Sequence, residues 1–167
     1  MGKTWVLREL AIEWLVNSGL VYKVARCNKL SLPLAIYEDL PAFKLYFLDI
    51  GLLGAMIDTE PSQVLVSNNA FTEYKGGMTE QYVLQQYMAH GVSPVYYHKT
   101  DDSRLEIDFV LQHCSHILPV EVKAEANVRA NSLTMLLANN PDIQAIRYSM
   151  RPYKVQGQLT CIPLYMA

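Results

Sequence analysis

Apolar positions along this chain follow two rhythms, one of helices and one of strands. Leu7, Leu10, Ala11, Trp14 and Leu15 recur at helical spacing, after a capping Thr4 and before a terminating Gly19. Residues 20–25 read as a strand, and residues 31–41 as a loop with two prolines. Residues 43–48 give a second strand, and Asp49 is placed to cap a short helix through Met56. From Met78 a helix carries Glu80, Val83, Leu84, Tyr87 and Met88 and ends at Gly91. Strand patterns follow at Val95–His98, Leu105–Gln112 and Ile117–Ala124, then a helix at Ser132–Asn139 and a strand at Ile143–Ser149, with 159–165 a further candidate. From Met78 the order is therefore α-β-β-β-α-β. Its hairpins require antiparallel pairing and its helical crossover a parallel pair, which predicts an α/β fold on a mixed sheet.

Two of these strands carry the chemistry. In residues 106–110 (EIDFV) and 120–123 (VEVK) charged side chains alternate with apolar ones. Side chains two apart share a face, so Glu106 joins Asp108 and Glu121 joins Lys123. A hairpin turning symmetrically about Cys114-Ser115 sets Asp108 opposite Glu121 and Glu106 opposite Lys123. Two carboxylates between apolar neighbours repel unless a cation or Lys123 neutralises them. Hard oxygen donors of this kind favour Mg²⁺ or Mn²⁺ over zinc. A half-buried strand pair with an ordinary Glu106–Lys123 ion pair gives the same alternation.

Size and composition narrow the setting. The 167 residues suffice for one good core, and 51% are apolar. No apolar run approaches the ~18 residues of a membrane-spanning helix. Three scattered cysteines (Cys27, Cys114, Cys161) form no disulfide framework and, with no leader-like start, fit a cytoplasmic protein. The net charge of −2, without a basic cluster, excludes strong unaided binding to nucleic acid. If nucleic acid is the substrate, another domain or subunit would supply much of the grip, and an oligomer stays open. Residues 58–69 (DTEPSQVLVSNN) are the expected boundary between a helix-and-strand module, 1–60, and an α/β domain, 70–167.

Asp108 followed after twelve residues by Glu121-Val122-Lys123 resembles the PD-(D/E)XK signature of restriction-endonuclease-like nucleases. That resemblance implies an αβββαβ core and a site in which Asp108, Glu121 and Lys123 are catalytic. It also implies Glu80, Asp108 and Glu121 as ligands of Mg²⁺ (or Mn²⁺), with Glu80 at the position of the glutamate on the first core helix. Glu106-Ile107 stand where the signature has a proline. Nearly the whole chain is similar to the C-terminal region, of unassigned function, of prokaryotic AAA-type ATP-binding proteins. The stretches that carry this are 43–53 (FKLYFLDIGLL), 77–83 (GMTEQYV), 105–110 (LEIDFV), 119–123 (PVEVK), Ser132-Leu133, Arg147-Tyr148-Ser149 and 162–165 (IPLY). The similarity implies an upstream ATPase domain as partner and a winged-helix-like segment over 1–60. It also implies phosphodiester hydrolysis of nucleic acid or, in an inactive form, a regulatory or docking module.

Other motifs carry less. Gly2-Lys3-Thr4 lacks the strand and earlier glycine of a phosphate-binding loop. His113, Cys114 and His116 share a turn without a second ligand pair for zinc. The strand tyrosines, Tyr46, Tyr96 and Tyr97, read as core.

Overall fold

In the computed structural model, residues 3–57, 72–124 and 131–167 are described; the boundary expected at 58–69 lies outside them. The elements run α1 (Lys3–Asn17), β1 (Val21–Cys27), β2 (Glu38–Phe47), α2 (Ile50–Met56), α3 (Thr72–Ala89), β3 (Val95–Lys99), β4 (Glu106–His113), β5 (His116–Val122), α4 (Asn131–Asn139), β6 (Ala145–Ser149), β7 (Lys154–Gln156) and β8 (Leu159–Pro163). All eight strands form a single mixed sheet ordered β2-β1-β3-β4-β5-β6-β8-β7. The three strands after α3 pair antiparallel, and β6 returns parallel to β5 after the α4 crossover. At the other end β1 pairs antiparallel with β2 and lies parallel to β3, so the N-terminal strands continue the same sheet.

Each sheet face buries one helix. Under α3, Val83, Leu84 and Tyr87 pack on Val24, Tyr46, Tyr97, Phe109, Val120, Val122 and Tyr148. Beneath α4, Leu133 and Leu136 pack with Cys27, Tyr96, Ile107, Val110 and Ala145. Strand segments covered on both sides read as continuous apolar runs, as in residues 109–111 (FVL) of β4 and 117–120 (ILPV) of β5. Phe109 is fully buried, its ring 5.8 Å from that of Tyr46 and 6.1 Å from that of Tyr87.

Several expectations need correction. The first helix starts at Lys3, so Thr4 lies inside its first turn rather than ahead of it. The helix itself is present as its spacing predicts, and Leu7, Leu10 and Trp14 on it are 66%, 55% and 65% exposed. The third helix starts six residues before Met78, running through Gly76-Gly77, whose low helix propensity hid that turn. The proline-containing segment after Glu38 is strand rather than loop; β2 ends the sheet, and an edge strand tolerates Pro41 because one side needs no donor. The short strand β7 has no counterpart in the sequence pattern; all three of its residues are exposed. Asp49 does cap α2, accepting from the Leu52 amide at 2.8 Å.

The β4–β5 hairpin has the symmetric register predicted from its turn, from Phe109–Val120 to His113–His116. Cys114 at its tip has φ 53°, in the left-handed region where a side chain is strained. Exchanging Cys114 for glycine is therefore expected to leave the hairpin intact and raise stability by up to about 1 kcal/mol. A lowered urea midpoint would refute this.

Candidate active site

The predicted acids meet where β4 and β5 part. Their ladder stops at Phe109–Val120, one step short of Asp108 and Glu121. On the other side of β4, Tyr96 pairs with Val110 but His98 pairs with Ile107, so Asp108 and Phe109 together oppose Tyr97. This is a β-bulge, a device that re-aims a side chain. Freed from the ladder, the Asp108 carboxylate turns back and its Oδ2 accepts the Val122 amide at 2.7 Å. It thereby stands in for a main-chain acceptor at the gap.

Lys123 lies between the two acids. Its ammonium is 4.0 Å from Asp108 Oδ2 and 3.5 Å from Glu121 Oε1. The second oxygen of Glu121 accepts from Arg147 Nε at 2.8 Å. That contact follows from the parallel register, in which Glu121 faces Arg147 directly. Val120 and Val122 pack under α3, so Glu121 between them turns to the opposite face. Asp108, Glu121 and Lys123 are thus brought together, as the hairpin register implied.

Glu80 approaches from α3. Its Oε2 accepts from the Tyr46 hydroxyl at 3.0 Å and lies 3.8 Å from Lys44 Nζ. Burial, followed by the charge of Glu80, pushes the Asp108 carboxyl up to about 7, against the opposing pull of Lys123, the Val122 amide and Lys44. Burial pushes the Tyr46 hydroxyl up too, and Glu80 adds to it, so Tyr46 stays a protonated donor. Because α3 and Glu121 lie on different faces, no three carboxylate, histidine or cysteine groups gather as a metal nest among the described residues.

The expected Glu106–Lys123 pair does not form. Glu106 instead binds Lys99 of the facing strand β3 at 2.9 Å and Lys44 of β2 at 3.0 Å. Burial raises its carboxyl, but those two ammonium groups outweigh burial and leave it below the usual carboxylate range. Lys44, Tyr46 and Arg147 are the contributors that the sequence did not single out for the site. Arg147 stands in a stretch that carries the family similarity, and only the β5–β6 register reveals its role.

The donor set fits a hard divalent cation with two protein carboxylates. Asp108 and Glu121 already share one positive group, the Lys123 ammonium, and Mg²⁺ commonly takes one or two carboxylates and fills its remaining positions with water and phosphate. Arg147 holds the second Glu121 oxygen in the way outer partners orient a ligating carboxylate.

These features define a mixed α/β domain whose polar groups converge at one opening between central strands. The chain belongs to the family described as Domain of unknown function (DUF4143), which matches residues 75–166, more than half of its length. That family is commonly found with AAA ATPases. A second family, also a Domain of unknown function (DUF8612), matches residues 8–63. No curated protein and no solved structure matches. Among the described residues no helix is long and apolar enough to cross a membrane.

Proposed function

We propose that this chain is the restriction-endonuclease-like part of an AAA-type ATP-binding protein and hydrolyses phosphodiester bonds in nucleic acid with Mg²⁺ or Mn²⁺. The observation that carries this reading is the pair of buried acids, Asp108 and Glu121, sharing the Lys123 ammonium at the gap between β4 and β5. The order α3-β3-β4-β5-α4-β6, with its antiparallel hairpins and parallel return, supports the αβββαβ core.

Asp108 and Glu121 would hold the cation, and Glu80 would deepen the negative field that attracts it. The cation would orient a water and neutralise charge on the scissile phosphate. With the two acids so engaged, Lys123 would be free of its ion pairs. Its side chain is 36% exposed, so its ammonium can turn to the anionic oxygens of the phosphate and stabilise the charge that develops there. The net charge of −2 leaves the bulk of nucleic-acid binding to the ATPase part.

The test is cleavage of DNA and RNA with Mn²⁺ by native protein, Asp108→Asn, Glu121→Gln and Lys123→Ala. Each variant is expected to lose at least about 100-fold in rate, as removal of one charge-stabilising group does elsewhere. Equal activity in all four samples would mean a contaminant and would defeat the proposal.

One observation favours a second reading, a docking or regulatory module of the ATPase. Both Glu121 oxygens and both Glu106 oxygens already have cationic partners, as a purely structural network would. Calorimetric titration with Mn²⁺ separates the two. Heat that disappears in Glu121→Gln supports the enzyme, and no heat supports the module.

A further inference from the structure

We infer that Lys44 and Tyr46 of β2 are positioning residues for this site, so that the site is completed by the N-terminal segment and does not reside in residues 75–166 alone. The inference rests on the reading above, because it assigns these residues to a cation-binding centre.

The argument begins with how β2 meets α3. Gln81 is almost fully buried, and its amide grips one residue of β2 from both sides. The Phe47 amide donates to Gln81 Oε1 at 2.9 Å, and Gln81 Nε2 donates to the Phe47 carbonyl at 2.6 Å. One helical turn on, Gln85 Oε1 accepts the Ile50 amide at 3.0 Å. A buried side-chain amide used on both its donor and acceptor sides fixes register, since any slip would leave main-chain and side-chain groups unpaired. Glu80 immediately precedes Gln81 and inherits that fixed position.

Two β2 side chains then act on Glu80 directly. Tyr46 and Lys44 are two apart and share a face of the strand. The Tyr46 hydroxyl donates to Glu80 Oε2, and Lys44 Nζ lies 3.8 Å from the same oxygen. Lys44 is itself held, 3.0 Å from Glu106 Oε1 and 5.1 Å from the centre of the Tyr97 ring. Tyr97 is the residue facing the Asp108-Phe109 bulge. Lys44 therefore sits between the helical acid and the strand segment that presents Asp108. Its position orients Glu80 while preventing the acids from being left wholly unneutralised before a cation arrives. Neither residue lies within 75–166, the segment that contains Glu80, Asp108, Glu121 and Lys123.

The experiment is Mn²⁺ binding by calorimetry to the whole chain, native and as Tyr46→Phe, Lys44→Met and Lys44→Arg, with the urea midpoint of each measured alongside. Tyr46→Phe keeps the ring in the core and removes only the hydrogen bond. It is expected to weaken Mn²⁺ binding by up to about 10-fold, the scale of losing an outer-shell partner, because the Glu80 charge is then no longer held towards the site. Lys44→Met should lower affinity, because Glu80 is no longer held in place, and steepen its dependence on ionic strength, because a positive charge beside the acids is lost; Lys44→Arg should restore native behaviour. Native protein that binds Mn²⁺ no more tightly than Tyr46→Phe and Lys44→Met overturns this inference alone. Native protein that binds none overturns it together with the nuclease reading. A lowered affinity in Lys44→Met that Lys44→Arg does not restore also counts against it, because packing rather than charge would be responsible.

Discussion

Replacing Asp108 with asparagine is expected to stabilise the fold above pH 7 while abolishing the proposed metal-dependent cleavage. The carboxyl sits near 7 in the native protein against an ordinary 3.8 for the unfolded chain, a raised value caused first by burial and then by Glu80. Between those values the native state holds a proton that the unfolded state has released. Stability therefore falls as pH rises through this window. The unfavourable contribution is absent below about pH 4 and complete above about pH 7. At roughly 1.4 kcal/mol per pH unit it amounts to a few kcal/mol at most. Asparagine imitates the protonated form and keeps an oxygen for the Val122 amide, so its advantage should grow from nothing at pH 4 to its full size at pH 8. Urea midpoints measured across that range check the sign. A constant difference at all pH values, or a loss at pH 8, would contradict it. On the proposed metal-binding reading, excess Mn²⁺ should narrow the gap, because native protein alone would gain from binding the ion.

Arg147→Met is expected to have the opposite effect, costing about 3–5 kcal/mol. Glu121 is only 4% exposed, and Arg147 Nε is its closest partner at 2.8 Å. Methionine fills much of the same volume but leaves one carboxylate oxygen buried without a donor, and Lys123 remains bound to the other oxygen only. The double variant Arg147→Met with Glu121→Leu removes both charges and should recover most of the loss, since exchanging a whole buried pair for apolar groups is often neutral. Thermal or urea unfolding of the three proteins decides this. A single variant as stable as native would mean that water reaches Glu121 and that its burial is not a constraint.

How much of this was written in the chain depends on whether local pattern or distant pairing determines each feature. The β4–β5 register follows from a symmetric four-residue turn, and the Asp49 cap from one side chain and the helix behind it; both are local. The bulge at Asp108-Phe109 is not, because it depends on how β4 fits β3 on one side and β5 on the other. The partners of Glu106 are non-local for the same reason. Lys123 was its neighbour by hairpin symmetry, but Lys99 and Lys44 reach it from strands 7 and 62 positions earlier in the chain. Leu7, Leu10 and Trp14 kept the spacing of a buried stripe without being buried, since periodicity records an apolar face and not what covers it.

The parallel contact of β1 with β3 has a practical consequence for anyone expressing the two matched segments separately. A fragment beginning at residue 75 would present β3 as a raw margin, with donors and acceptors at Tyr96, Tyr97 and His98 no longer met by Ala25, Arg26 and Cys27. It would also uncover the apolar surface that Val24 and Tyr46 protect. Such a margin recruits further strands from solution, so the shortened protein should clump while the longer one stays dispersed.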